Sequence, residues 1–333
     1  MLQTILLPLD GSQLAETVLP HALTCAKVMN SHLILVHVLQ TAKYPDSDSH
    51  TVDPLDWRLR KMEALRYLEE TAERFSRAGV KAEAVLLLGD SAERIVEFAQ
   101  ERNVELIMMS SHGASGLSGW NVSSVVQKVI LTTHTSVMII PAYHRPDVSF
   151  GDLRYRRVVA PLDGSQRAEC VLPLLKMLAQ AHEAETDLIT IVARPQMLQR
   201  TPLSSEDAEL ADRVVARNRA AAEKYLSQVQ SRMDNHVNTH VLVSDDVIES
   251  LYEFVGREEA DLVVFSAHGS SGNGNRRYGS LVTSFIAYGS TPLLIVQDLP
   301  PQKIRKTEAE LAAQKRSDNG MGVRNVVNAP AAG

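Results

Sequence analysis

The stretch Asp261–Ser280, DLVVFSAHGSSGNGNRRYGS, decides the fold. Leu262, Val263, Val264 and Phe265 form a short unbroken apolar run, the mark of a strand covered on both faces. A loop of small residues follows at once, with Ser266, His268, Gly269, Ser270, Ser271, Gly272 and Gly274. Gly279-Ser280 then opens LVTSFIAYG, whose Leu281, Phe285 and Tyr288 have helical spacing and whose Gly289 marks its end. A strand that feeds a glycine-rich loop and a helix start is how α/β proteins build anion sites. Glycine lets the backbone approach a phosphate, and the N–H groups of the first helical turn point at it.

The same arrangement occurs earlier, in ELIMMSSHGASGLSGWNVSSVVQKVI from Glu105 to Ile130. His112 and His268 are 156 positions apart, as are Ser123 and Gly279. Pro8–Pro20 and Pro161–Pro173 agree at 11 of 13 positions, differing only at Leu14/Arg167 and Thr17/Cys170. The offset there is 153, so the second copy gains three residues before its loop. The chain is a tandem repeat.

Repetition and periodicity predict two α/β domains, each a five-stranded parallel sheet of order 3-2-1-4-5 with helices on both faces. In repeat 1 the strands are expected near Thr4–Leu9, Ser31–Leu39, Val80–Leu88, Val104–Met109 and Ser136–Ile140. Gln40–Asp56 reads as a long polar loop, a lid or a mobile segment, before a helix over Trp57–Arg77 with charge pairs of Arg66 and Arg77 with Glu69 and Glu73. Residues 1–143 form repeat 1, 144–154 a linker and 155–298 repeat 2. Residues 299–333 form a tail, with a charged surface helix over Gln302–Arg316 and a disordered Gly-, Asn- and Ala-rich end. Such sheets bind ligands beyond the carboxyl ends of their strands, where strand order reverses. Asp10 and the Gly113 loop converge there in repeat 1, and Asp163 and the Gly269 loop in repeat 2.

The 333 residues suffice for two cores, with 44% hydrophobic and 22% charged residues, a globular balance. A net charge of -6 argues against a nucleic-acid binder that relies on phosphate neutralisation. Cys25 and Cys170 are the two cysteines, lack metal-ligand spacing and read as helix packing, so a cytoplasmic location is expected. No apolar run approaches the ~18 residues of a membrane span, and MLQTILLPLD lacks the basic start of a signal peptide.

The PLDGS segments (Pro8–Ser12 and Pro161–Ser165), the His-Gly turns and the helix starts nine residues further on resemble the universal stress protein family, over both halves of the chain. In the ATP-binding branch of that family the loop reads Gly, two residues, Gly, nine residues, Gly, then Ser or Thr. Repeat 2 has Ser266, Gly269 and Gly279-Ser280, with one glycine replaced; repeat 1 has Ser110, Gly113 and Ser123-Ser124, with two replaced. Serine costs closeness of approach, which makes repeat 2 the better site. The resemblance implies ATP with Mg2+ or Mn2+, phosphates cradled by Gly113, Ser123 and Ser124, or by Gly269, Gly279 and Ser280, with Ser110, Ser266 and His268 alongside. It implies that Asp10 and Asp163 contact the ribose or purine side, and that Val38 and Ala193 offer backbone groups to adenine. It further implies fifth strands paired across a two-fold axis, hence an internal pseudo-dimer of repeats, with a homodimer of whole chains a second possibility.

Other readings stand beside these. Asp10 and Asp163 could merely close Asx turns before a helix. His112 and His268 read as buried side chains that bond the backbone and shape the turn, in preference to catalytic bases. Arg276 and Arg277 could pair with a triphosphate or lie exposed, and Trp120 could stack on a ligand or anchor a core. His236 and His240 have ligand spacing but fall on a strand start. The function expected is an ATP-binding regulatory protein of the stress response without a dedicated reaction. The alternatives are a protein-interaction module that binds no nucleotide, and a slow ATPase for which no positioned base can be assigned.

Overall fold

The computed structural model describes residues 2–40, 54–117, 121–143, 150–195, 205–233, 236–269 and 277–298. The anticipated lid between Gln40 and Asp56 lies outside them at 41–53. So do Trp120, Arg276, most of the linker and both predictions for the tail. Two compact units divide at Leu153 and Arg154.

In the first unit, β1 (Thr4–Pro8), β2 (His32–Leu39), β3 (Ala82–Leu88), β4 (Leu106–Ser110) and β5 (Ser136–Ile140) pair in parallel in the order β3-β2-β1-β4-β5. The connecting helices are α1 (Val18–Met29), α2 (Pro54–Arg77), α3 (Ser91–Glu101) and α4 (Ser124–Thr132). In the second unit, β6 (Arg157–Pro161), β7 (Glu185–Ala193), β8 (Val237–Ser244), β9 (Leu262–Ser266) and β10 (Leu293–Val296) repeat that order as β8-β7-β6-β9-β10. Its helices are α5 (Leu172–His182), α6 (Ser205–Gln230), α7 (Val247–Arg257) and α8 (Ser280–Tyr288). Every residue of β4, β5 and β9 is buried, as unbroken apolar runs require of strands covered on both faces.

Local chemistry sets the ends of these elements. Asp90 accepts from Glu93 N at the start of α3, and Asp246 accepts from Ile248 N and Glu249 N at the start of α7. Gly289 closes α8 as expected, in extended backbone at φ -69°, as Thr133 closes α4. Helix α2 starts at Pro54, three residues before the sequence reading, with proline at the position it favours. On its surface Arg66 pairs with Glu70, not Glu69, and Arg77 pairs with Glu73 as expected, both at i,i+4 spacing.

Strand order reverses between β1 and β4, and between β6 and β9. Each reversal leaves a crevice at the carboxyl ends of the strands, and the two Asp-Gly-Ser turns and two His-Gly turns open there.

Candidate functional site

Past β1 the chain turns sharply at Gly11, φ +78°, and past β6 at Gly164, φ +82°, a backbone region that glycine enters without steric cost. Asp10 Oδ1 accepts from Ser12 N at 3.0 Å, and Asp163 Oδ1 accepts from Ser165 N at 3.0 Å. These are Asx turns, the modest role weighed for both aspartates. The second carboxylate oxygen does more. Asp10 Oδ2 reaches across the crevice to accept from Ala114 N, in the loop after β4, at 2.6 Å. A Cβ on Gly113 would collide with Asp10 Oδ2, and one on Gly269 with Asp163 Oδ2. The two glycines are therefore required first by the protein's own carboxylates.

The loops are pinned at equivalent points. Ser111 N donates to Ile140 O and Ala267 N to Val296 O, at 2.7 and 2.8 Å; Ser123 N donates to Ser111 O and Gly279 N to Ala267 O, at 2.7 and 2.9 Å. Both histidines are buried, 3% exposed at His112 and 6% at His268. A side chain meets each ring at Nδ1. His112 Nδ1 lies 3.0 Å from Ser111 Oγ, whereas His268 Nδ1 lies 2.7 Å from Asp298 Oδ1. Ser266 Oγ donates to His268 O at 2.8 Å, and Thr17 Oγ1 to Ser110 Oγ at 3.0 Å, so both serines at the strand ends are engaged in shaping the site.

The helix starts differ. Ser123, the residue before α4, accepts from Val126 N through its hydroxyl. Gly279 has nearly the same backbone, φ -66° and ψ 163°, but has no side chain with which to cap α8. A Cβ there would meet nothing closer than Ala267 O at 4.0 Å. Neither strain nor internal crowding demands this glycine; what it changes is access to the first-turn N–H groups. Tyr278 just before it is buried, and burial pushes its phenol up to about 12, so it stays protonated at neutral pH.

A cleft of about 650 Å³ opens over Asp10, Gly113 and Ser123 in the first unit, and one of about 740 Å³ over Asp163, Gly269 and Gly279 in the second. Each combines an apolar wall from the second strand and third helix with a polar end at the loop. Val38, Ser110 and His112 also line the first; Ser266, His268 and Ser280 also line the second. Ser124 and Ala193 line neither. Register explains Ala193. Pro8 pairs with Val36 and Pro161 with Ile189, so the 153-residue offset persists through β7 and the counterpart of Val38 is Ile191, which does line the cleft. Carrying that offset along the sequence would have found it. Arg277 does not line the cleft either.

Among the described residues, no three His, Cys, Asp or Glu side chains gather as a metal site, and His240 bonds the buried Asp187 at 2.9 Å. No helix among them is long and apolar enough to cross a membrane.

The model of the universal stress protein family matches the chain twice, over residues 1–141 and 154–297. A universal stress protein of Bacillus subtilis is 30% identical over 148 residues, covering 42% of this chain and 99% of that protein. One of Methanocaldococcus jannaschii is 28% identical over 136 residues, covering 41% of this chain and 80% of that protein. Among solved structures, a universal stress protein of Archaeoglobus fulgidus superposes with a TM-score of 0.60 at 20% identity, covering 89% of this chain and 98% of its own, a likeness of fold. With two matches that together span most of its length, each over a complete crevice, this chain belongs to the universal stress protein family.

Proposed function

We propose that the protein binds an adenine nucleotide, ATP, in the cleft of the second unit, and acts by the conformation the bound nucleotide stabilises, with no reaction of its own. One observation carries this reading: α8 begins at Gly279 without a side-chain cap, at the polar end of a cleft of about 740 Å³. The first-turn N–H groups and the helix dipole are left to a ligand, and a phosphate chain supplies both acceptors and negative charge. Ser280 opens the same helix and adds a hydroxyl donor. The base would lie against Ile191 and Val247 on the apolar wall.

The residues present fit this ligand. Asp163 is a carboxylate that lines this cleft and faces Gly269, and Mg2+ or Mn2+ commonly binds through one or two carboxylates together with nucleotide phosphates. Such a cation would neutralise phosphate charge close to Asp163; the chain's own part is to fix the turn and keep the helix start open.

A second reading applies to the first unit, because Ser123 caps α4 from within. There the cleft serves as an interaction surface or as a weaker nucleotide site. Titration calorimetry with ATP and Mg2+ on the whole chain tests both readings. One site is expected to fill before the other, and the absence of any binding below about millimolar, roughly 4 kcal/mol of binding free energy, ends the nucleotide reading. Native mass spectrometry of the purified protein supplies an independent test through any nucleotide that co-purifies.

A further inference from the structure

Four differences between the repeats meet at one place in the second unit. Leu14, Thr17, Ser111 and Ala142 correspond to Arg167, Cys170, Ala267 and Asp298, by the offsets of 153 and 156. They lie far apart in sequence, on the turn before α5, at the end of β9 and after β10. The Asp298 side chain is fully buried; its Oδ1 lies 2.7 Å from His268 Nδ1 and its Oδ2 3.5 Å from Arg167 Nε. Cys170 packs beside Ser266 and within electrostatic reach of Asp298, and burial pushes its thiol up.

In the first unit a hydroxyl stands at the same ring nitrogen. Ser111 Oγ meets His112 Nδ1 at 3.0 Å and accepts from Ala142 N at 2.9 Å. In the second unit Ala267 has no hydroxyl, and the carboxylate of Asp298 meets the same ring nitrogen, Nδ1 of His268. Burying a carboxylate is costly unless cations and hydrogen bonds compensate it. The carboxylate stands at the ring in the unit whose helix start is left open, and a hydroxyl in the unit whose helix start is capped.

We propose that Asp298 is a positioning residue of the second cleft. Its charged contact holds the His268 ring, and through the His268 backbone the Gly269 turn, in the arrangement that receives phosphate, with Arg167 as its counter-charge. Charge-assisted bonds are shorter and stronger than neutral ones and fix a ring more tightly. Ser266 Oγ, bonded to His268 O, holds the same residue from its other side. This proposal rests on the nucleotide reading of the cleft.

The test uses the full chain with the first cleft silenced by Gly113→Val, where the new side chain meets Asp10 Oδ2. In that background Asp298→Ala is expected to weaken ATP·Mg2+ binding about tenfold, the scale of one lost charge-assisted bond. Adding Ala267→Ser to Asp298→Ala imports the first unit's arrangement and is expected to restore affinity to within about threefold, since the hydroxyl again meets the ring. In the ligand-free protein, amide exchange at His268 and Gly269 is expected to quicken in Asp298→Ala and to slow again in the double variant. Should Asp298→Ala fail to fold, Asp298→Asn keeps the shape without the charge and is expected to show the same loss in smaller measure. Unchanged affinity and unchanged exchange in Asp298→Ala, or in Asp298→Asn where that is the variant used, overturn the positioning role and leave the nucleotide reading intact. A Gly113→Val chain that binds no ATP at all overturns both.

Discussion

The two crevices have one backbone plan and two chemistries. Each has an Asx turn under a carboxylate, a His-Gly turn that this carboxylate faces, and a nine-residue helix beyond the loop. In the first, neutral hydroxyls complete the site: Ser111 holds the His112 ring, and Ser123 caps α4. In the second, Asp298 holds the His268 ring and the start of α8 is left uncapped. Helix starts need partners for their first N–H groups. A protein that supplies its own partner gains stability there and gives up anion affinity. One that withholds it gains a binding site that must be held rigid by other means.

The largest test of this contrast is steric. Gly269→Val drives a side chain into Asp163, and is expected to lower ATP affinity at the second cleft about a hundredfold, roughly 2.7 kcal/mol. Gly113→Val makes the same collision with Asp10 but removes only the weaker site. Calorimetry on the two variants ranks the clefts, and the opposite ranking breaks the contrast. Next come the carboxylates. Asp10→Ala strips acceptors from Ser12 N and Ala114 N, and is expected to cost about 1–3 kcal/mol in chemical denaturation, as buried or charged hydrogen-bond partners do. A cost near zero would show that these turns stand without their aspartates.

Exchanging the helix starts gives a smaller and sharper effect. Ser123→Gly should cost only a few tenths of a kcal/mol, while Gly279→Ser should stabilise by about 0.5 kcal/mol, on the scale of N-cap exchanges. ATP affinity is expected to move the opposite way in each case, up at the first cleft and down at the second. Movement of stability and affinity in the same direction would refute the competition between cap and ligand.

The smallest effect lies on the cleft-side strands. Burial lowers the pKa of His37, with Asp10 and a bond to the Leu9 carbonyl opposing it, whereas its counterpart Thr190 donates to Leu162 O and does not titrate. The native state therefore binds fewer protons than the unfolded chain below the ordinary value of 6.5. The resulting stability is complete above pH 6.5 and is lost as pH falls below it toward the lowered native value. His37→Thr should flatten that acid-side loss, leaving the share due to His182, which burial also lowers. Denaturation midpoints measured across this range decide it.

Much of this was legible in the sequence because strong local signals agreed with one another. Unbroken apolar runs marked β4 and β9, the repeated PLDGS marked two turns, and recurrence in the same order, at offsets of 153 and 156, tied each turn to a loop more than 90 residues away. Gly113 and Gly269 were found by the same signals, and the structure adds a second reason for them, since their missing side chains make room for aspartates of their own units. Ala193 was misplaced because the end of an apolar run was taken as the reference, when strand register sets equivalence. Asp298 went unnoticed because it lies after the last strand, in a segment with no periodicity to flag it.

The sequence by itself determined the number of units, the parallel sheets and the side of each on which a site would form, because burial patterns and turn residues act over a few neighbours in the chain. Only the tertiary structure decided which groups at those sites are already engaged. That depends on contacts such as Asp10 to Ala114 and Asp298 to His268, made between segments distant in sequence. Whether a polar group bonds to the protein or stays open to a ligand is a matter of distance and direction in space, and no local pattern records it.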